Sequence, residues 1–184
     1  IDMRYGIALS GGAIFNKGGI LSMDNCTITN NRTNNDGGGI GCDEDASSHL
    51  LNVIISNNTA AEDGGGIENE ESLMIMGDCT ISGNRTLSAT TDGGGIENDR
   101  GTLTVTNSSI INNTTMDKGG GIKNIGGLLT MISSTISNNS SGGYGGGIAN
   151  DGGRLSLNSC NLENNTSMGD GGGIGSILSD ISFE

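Results

Sequence analysis

The sequence contains no proline and no tryptophan, and only 2% of its residues are aromatic, whereas 35 of its 184 residues are glycine. Glycine at this level without a three-residue period excludes collagen, and composition alone would be compatible with disorder. Aliphatic residues that recur at regular intervals argue against disorder, because each repeat then contributes its own share of a core.

Basic residues are also scarce. There are 8 of them against 21 acidic residues, and the formal net charge is −13. This balance disfavours nucleic acids and anionic membrane surfaces as partners, since both require a basic footprint. No apolar run approaches the roughly 18 residues that cross a bilayer, so we expect no membrane insertion.

The dominant feature is the tetrapeptide Gly-Gly-Gly-Ile, which first occurs in the variant form Gly11-Gly12-Ala13-Ile14. Its isoleucines are Ile14, Ile40, Ile67, Ile96, Ile122, Ile148 and Ile174, at intervals of 26, 27, 29, 26, 26 and 26 residues. A period of this size is typical of a solenoid, in which each repeat packs only against its neighbours. We therefore expect a single domain over residues 1–184, with partial coils at 1–10 and 177–184.

Each repeat contains three short stretches in which apolar and polar residues alternate, for example Gly119–Lys123, Thr130–Ile132 and Thr135–Asn139. Alternation with period 2 indicates strands, and no stretch keeps a helical i, i+3, i+4 pattern. Three strands in about 26 residues predict one triangular turn of an all-β parallel β-helix. The longer intervals come from insertions in two turns, around Cys42–Ser47 and Arg85–Asp92, where a solenoid tolerates extra residues.

Two polar columns appear when the repeats are aligned. One consists of Asn31, Asn58, Asn84, Asn113, Asn139 and Asn165. The other, two residues after the motif isoleucine, consists of Asn16, Cys42, Asn69, Asn98, Asn124, Asn150 and Ser176. Asparagines at fixed corners favour side-chain amide ladders that join successive coils, which is a structural role.

The segment Ile81-Ser-Gly-Asn84, followed by Gly93-Gly-Gly-Ile96, resembles the paired FxxN and GGA(I/L/V) motifs of chlamydial polymorphic outer-membrane proteins. The wider group is that of secreted right-handed β-helix repeat proteins. Only Gly11–Ile14 gives the literal GGAI; elsewhere glycine replaces alanine, and Ile or Leu replaces Phe. The resemblance implies a right-handed, single-stranded parallel β-helix of about seven coils, at a cell surface or outside the cell. It also implies a role in adhesion or as a stalk, with no catalytic residue carried over.

Cys26, Cys79 and Cys160 fall in one inward column, and Cys42 lies in the second asparagine column. Because coils are about 4.8 Å apart, cysteines two or more coils apart are separated by more than roughly 9 Å, too far for a disulfide. We expect four free thiols and no metal site built from several of them.

Five acidic residues stack near the glycine motif. Asp36, Asp63 and Asp92 each precede a motif isoleucine by four positions, while Glu68 and Glu97 follow one directly and should face outward. Such charges repel one another unless a cation, Lys123 or Arg100 relieves them. Two interpretations remain, a weak Ca²⁺ site or a solvated acidic stripe, and we favour the stripe. No other cofactor is expected.

The function predicted from these features is an extracellular or cell-surface structural or adhesive β-helix, as a subunit of a head-to-tail filament or a segment of a surface stalk. Both ends present strand edges, with Ile181 and Phe183 on inward columns, so we expect a homo-oligomer formed by end-to-end stacking. Cell-surface or host glycans are further candidate partners. An enzyme is not expected, since the turns are short and the lone His49 has no evident partner.

Two alternatives remain open. A carbohydrate-binding or polysaccharide-degrading β-helix is one, although the outward column after the motif isoleucine holds no catalytic constellation. Its members are Phe15, Gly41, Glu68, Glu97, Lys123, Ala149 and Gly175. Ice binding is the other, through the outward pairs Thr27/Thr29, Thr80/Ser82 and Thr135/Ser137.

Overall fold

The computed structural model describes residues 1–183, which form strands and turns and contain no helix that could cross a membrane. The strands are β1 (Asp2–Arg4), β2 (Ile7–Ala8), β3 (Ile14–Lys17), β4 (Ile20–Asp24), β5 (Thr27–Thr29), β6 (Arg32–Thr33), β7 (Ile40–Asp43), β8 (Ser47–Leu51), β9 (Ile54–Ser56), β10 (Thr59–Ala60), β11 (Ile67–Glu70), β12 (Leu73–Gly77), β13 (Thr80–Ser82), β14 (Arg85–Thr86), β15 (Ile96–Asp99), β16 (Thr102–Thr106), β17 (Ser109–Ile111), β18 (Thr114–Thr115), β19 (Ile122–Ile125), β20 (Leu128–Ile132), β21 (Thr135–Ser137), β22 (Ser140–Ser141), β23 (Ile148–Asp151), β24 (Arg154–Asn158), β25 (Asn161–Glu163), β26 (Thr166–Ser167), β27 (Ile174–Ile177) and β28 (Asp180–Phe183).

These strands form four parallel sheets of seven strands each, and every fourth strand along the chain joins the same sheet. The first sheet runs from β1 to β25, the second from β2 to β26, the third from β3 to β27 and the fourth from β4 to β28. Motif isoleucines pair directly, as Ile67 does with Ile40 and Ile96. The prediction of a parallel β-solenoid with about seven turns of about 26 residues is confirmed.

Each turn has four strands and not the three that the alternation predicted. The additional strand is the second-sheet strand, such as Arg32–Thr33, whose two residues are too few to display a period of 2. It follows a corner where the backbone is left-handed, as at Asn30 with φ 58°. Asparagine tolerates this conformation better than most residues, which explains the paired asparagines in the repeats.

The core is a set of stacked aliphatic columns inside the four sheets. Ile67, Ile81 and Met76 are fully buried, on the third, first and fourth sheets of one turn. Burial of each such side chain contributes roughly 1.5–3 kcal/mol. Both sequence irregularities lie outside strands, in residues 44–46 and 87–95, so the inward positions stay aligned through the stack.

The asparagines of the first polar column form a continuous buried ladder next to this core. Asn84, for example, donates from its backbone N–H and from Nδ2 to Oδ1 of Asn113, at 2.9 and 3.1 Å. Its Nδ2 also donates to the carbonyl of Ile55 at 3.0 Å. Each amide therefore links three turns, which holds the corners in register without an apolar contact.

Candidate functional site

The most unusual polar cluster lies on the outer side of the third sheet. Here the chain before each glycine motif folds back across the strand that follows the motif. Gly64 and Gly93 have φ of 60° and 61°, and a Cβ on either would lie within 2.9 Å of the backbone nitrogen of Glu68 or Glu97. Only glycine fits so close a return, and it brings Asp63 and Asp92 beside the two glutamates.

We call this cluster the acidic channel and define it by Asp36, Asp63, Asp92, Glu68 and Glu97. The aspartates form a ladder of their own along the channel. Asp36 Oδ1 accepts from the backbone N–H of Asp63 at 2.9 Å, and Asp63 Oδ1 accepts from that of Asp92 at 2.6 Å. Burial raises the pKa of Asp63 to about 6 and also raises the pKa of Asp92. These hydrogen bonds from side chain to backbone hold the three aspartates in a stack.

The expectation of a solvated acidic stripe is wrong for the two glutamates. Glu97 is only 4% exposed, and Glu68 is partly covered with its Oε2 buried. Neither Oε2 has a hydrogen-bond partner among residues 1–183. Burial, together with the neighbouring carboxylates, raises the pKa of both glutamates well above the ordinary range. The sequence pattern placed them outside the core correctly, but it could not show that the returning chain covers them.

Lys123 continues the same column on the next strand but does not neutralise the glutamates by an ion pair. Its side chain is buried, and Nζ bonds Asp151 and donates to the hydroxyl of Tyr144 at 3.2 Å. The Tyr144 hydroxyl also donates to Asp151, and the nearest oxygen of Asp92 lies 4.0 Å from Nζ. The lysine therefore closes one end of the acidic channel with its own counter-ion.

Arg100 is the second cation that the sequence suggested as a neutralising partner. It bonds Glu70 at 3.0 Å, Glu71 at 2.9 Å and Asp99 at 2.6 Å, all in an exposed setting beside the channel. A solvated ion-pair cluster of this kind contributes little to stability. Arg100 serves these surface carboxylates and not Glu68 or Glu97.

The Ca²⁺ candidates Asp36, Asp63, Asp92, Glu68 and Glu97 are brought together, but not as a coordination shell. Within residues 1–183, no three Asp, Glu, His or Cys side chains are arranged to hold one metal ion. A cavity of about 80 Å³ opens at the other end of the channel, lined by Phe15, Asp36, Glu68 and Glu70 among others. Ca²⁺ binding stays a prediction that the observed arrangement does not favour.

The second polar column is an amide ladder with one interruption. Nδ2 of Asn69, Asn98 and Asn124 donates to Oδ1 of the next asparagine, at 2.6–2.7 Å. Cys42 takes the preceding position and contacts the Ser48 hydroxyl at 3.2 Å. Oδ1 of Asn69 is consequently buried without a partner in the described chain. All four cysteines are free thiols, and only Cys160 is partly exposed.

Two segments, residues 25–43 and 52–70, match the family model described as the Chlamydia polymorphic membrane protein repeat. Each begins at an asparagine corner and ends with the third-sheet strand of the same turn, β7 or β11. The protein is thus a β-helix whose repeats resemble those of chlamydial polymorphic membrane proteins. The match suggests a surface or outer-membrane-associated protein. No curated protein and no solved structure matches the chain.

Proposed function

We propose that this chain is a structural segment of a surface protein, a rod that lengthens by end-to-end stacking of copies. The observation that supports this proposal is that every turn stacks on the next in one parallel register through all four sheets, so that turns of the same form can be added to the stack. At one end, a groove of about 540 Å³ is lined by Leu157, Cys160, Leu162, Ile174 and Phe183. Phe183 is 69% exposed although it pairs with the buried Leu157. A further β-helical turn would cover this groove.

The opposite end offers a turn of the required form. The register of the sheets would place β1 of a second copy on β25, and β4 of that copy on β28. Leu162 would then meet Met3, and Phe183 would meet Met23, so apolar residues face one another inside the stack. Glu163 would lie beside Arg4, an opposite-charge pair of the kind that stabilises adjacent strands. The repeats of one chain stack in the same way, for example Leu162 on Ile136.

This contact joins two different surfaces and does not close, so it propagates into a filament. Substitution of Phe183 tests it sharply. Phe183 is largely exposed in the single chain and lies on an inward column, where it would meet Met23 of a second copy. Phe183→Lys should therefore leave the single chain intact but place a charge inside the stacked junction. Ile54→Lys, at a half-exposed outward position of β9, is the matched control.

Electron microscopy and sedimentation of the purified chain provide the measurement. We expect rods longer than one chain for the wild type and for Ile54→Lys, and single particles for Phe183→Lys with an unchanged circular dichroism spectrum. Arg4→Glu should weaken the assembly, and the double variant Arg4→Glu/Glu163→Arg should restore it. A wild-type chain that stays monomeric at high concentration would overturn end-to-end stacking.

The adhesive part of the proposal rests on the outer face of the fourth sheet. In a chain of net charge −13, the outward positions of β8, β12, β16 and β20 carry no formal charge. They combine threonine hydroxyls with half-exposed aliphatic side chains such as Ile75 and Leu128. A flat, uncharged face of this composition suits a neutral glycan, and His49 lies on it as a surface side chain. The proposed role requires no catalysis.

Binding to immobilised neutral glycans tests this second element separately. Thr104→Glu puts a charge in the middle of the face and should abolish retention, whereas Thr80→Glu on the first sheet should not. Equal retention of both variants, or no retention of the wild type, would contradict the adhesive role without bearing on filament formation.

A further inference from the structure

We infer that Glu68 and Glu97 form a proton-binding site, in which the pair shares a proton at neutral pH and loses it as the pH rises. The two residues are direct partners on the parallel strands β11 and β15, and their side chains point to the same outer side. Strands in a sheet are about 4.8 Å apart, so the two carboxyl groups are neighbours. Each has a buried Oε2 without a donor among the described residues.

The surroundings of the pair are strongly acidic. The charged groups that act on the pair or lie beside it on the returning chain and the adjoining strands are Asp36, Asp63, Asp92, Glu70, Asp99 and Lys123. Asp43 lines the same small cavity as Glu68. Lys123 is the one cation in this set, and its ammonium group is held by Asp151 and Tyr144. Two ionised glutamates, one buried and the other partly covered, would therefore lie side by side with no opposite charge in contact.

A single bound proton relieves the repulsion between the two carboxylates without any further ligand. One glutamic acid can donate its O–H to an oxygen of the other glutamate, which supplies the missing donor and removes one of two like charges. A divalent cation would do the same only if a third ligand joined the pair, and the described residues offer no such grouping. The geometry therefore favours a proton over a metal ion as the occupant.

The direction of the pH effect follows from proton linkage. The folded chain keeps a proton on this pair above pH 4.5, the ordinary glutamic acid pKa, where the unfolded chain releases it. The folded state binds more protons in that window, so its stability decreases as pH rises from there until the pair is ionised. The central turns are then the part of the rod that loosens at neutral to alkaline pH.

Carbon-13 NMR of glutamate side-chain carboxyls in the wild-type chain tests the site directly. We expect one glutamate resonance to keep the chemical shift of a carboxylic acid at pH 7 and to titrate above it. An infrared band of a protonated carboxyl, shifted in deuterium oxide, should accompany it. If every glutamate has a carboxylate shift at pH 7, the proposal is wrong, and this reading needs no variant.

Variants connect the proton to stability. Glu68→Gln/Glu97→Gln should remove the acid resonance and flatten the fall in melting temperature between about pH 5 and pH 8. Glu163→Gln, on the exposed strand β25, is the control and should retain both the acid resonance and the fall in melting temperature. Asp63→Asn measures how much the neighbouring aspartate contributes to the pH dependence of the melting temperature. Should Ca²⁺ raise the melting temperature of the wild type at pH 7 but not that of the double variant, a metal ion and not a proton fills the site.

Discussion

Asn113 donates twice to the side-chain oxygen of Asn139, through its backbone N–H at 2.9 Å and through Nδ2 at 3.1 Å. Its own Oδ1 accepts the same two bonds from Asn84. A single side chain thus connects one corner of the β-helix to the turns on both sides. Removal of this amide leaves buried donors and acceptors unpaired on both sides.

For this reason we expect Asn113→Ala to destabilise the chain by roughly 1–3 kcal/mol. In a chain of this length the melting temperature falls by about 2–4 °C for each kcal/mol. Thr104→Ala, on the outer face of the fourth sheet, should change the free energy of unfolding by less than about 0.5 kcal/mol. Thermal unfolding followed by circular dichroism is the measurement, and equal melting temperatures for the two variants would contradict a stabilising ladder.

The residue before each ladder asparagine tests the left-handed corners. Asn112 has φ 57° and an exposed side chain, so its backbone conformation and not its contacts should determine the effect of substitution. We expect Asn112→Ala to cost about 1 kcal/mol and Asn112→Gly to be nearly neutral. Asn161→Ala, on a strand with ordinary backbone geometry, is the control. An alanine variant at 112 as stable as the glycine variant would argue against the corner geometry.

The gap in the second ladder predicts a stabilising substitution. Cys42→Asn would supply an amide donor to the unpartnered Oδ1 of Asn69 and should stabilise the chain by about 1 kcal/mol. Cys42→Ala lacks the donor and should be no more stable than the wild type. Chemical denaturation of the three chains decides the matter, and an Asn variant less stable than Cys42→Ala would show that the ladder cannot pass this position.

Thiol reactivity tests the placement of the cysteines. In the folded chain Cys160 should react first, because it is partly exposed, while Cys42 and Cys79 are 1% and 2% exposed. Burial also raises the pKa of the Cys42 and Cys79 thiols, which lowers their thiolate fraction. After denaturation without reductant, all four thiols should titrate. Fewer than four, or a Cys26–Cys79 bridge in mass spectrometry, would contradict the register.

The solenoid and its register could be predicted from the sequence because both depend on features that repeat in every turn. The motif isoleucines and the two polar columns recur every 26 to 29 residues, and a β-helix places such positions in direct contact one turn apart. The fourth strand of each turn escaped prediction, since two residues such as Arg32–Thr33 show no alternation. Asn30 could have indicated the additional strand, because asparagine tolerates the left-handed backbone of a corner and this corner has a strand on each side.

The covering of Glu68 and Glu97 in the acidic channel was decided by tertiary structure alone. Alternation along β11 and β15 tells only that Glu68 and Glu97 point away from the core, and an outward residue is normally solvated. Whether it is covered depends on the path of the chain before the glycine motif, which returns across the outer face of the third sheet. In that return, the segment before the motif packs against the strand after it, and the alternation of residues along the strands gives no sign of this contact. The sequence therefore determined which residues stack, and the fold determined which of them lose contact with water.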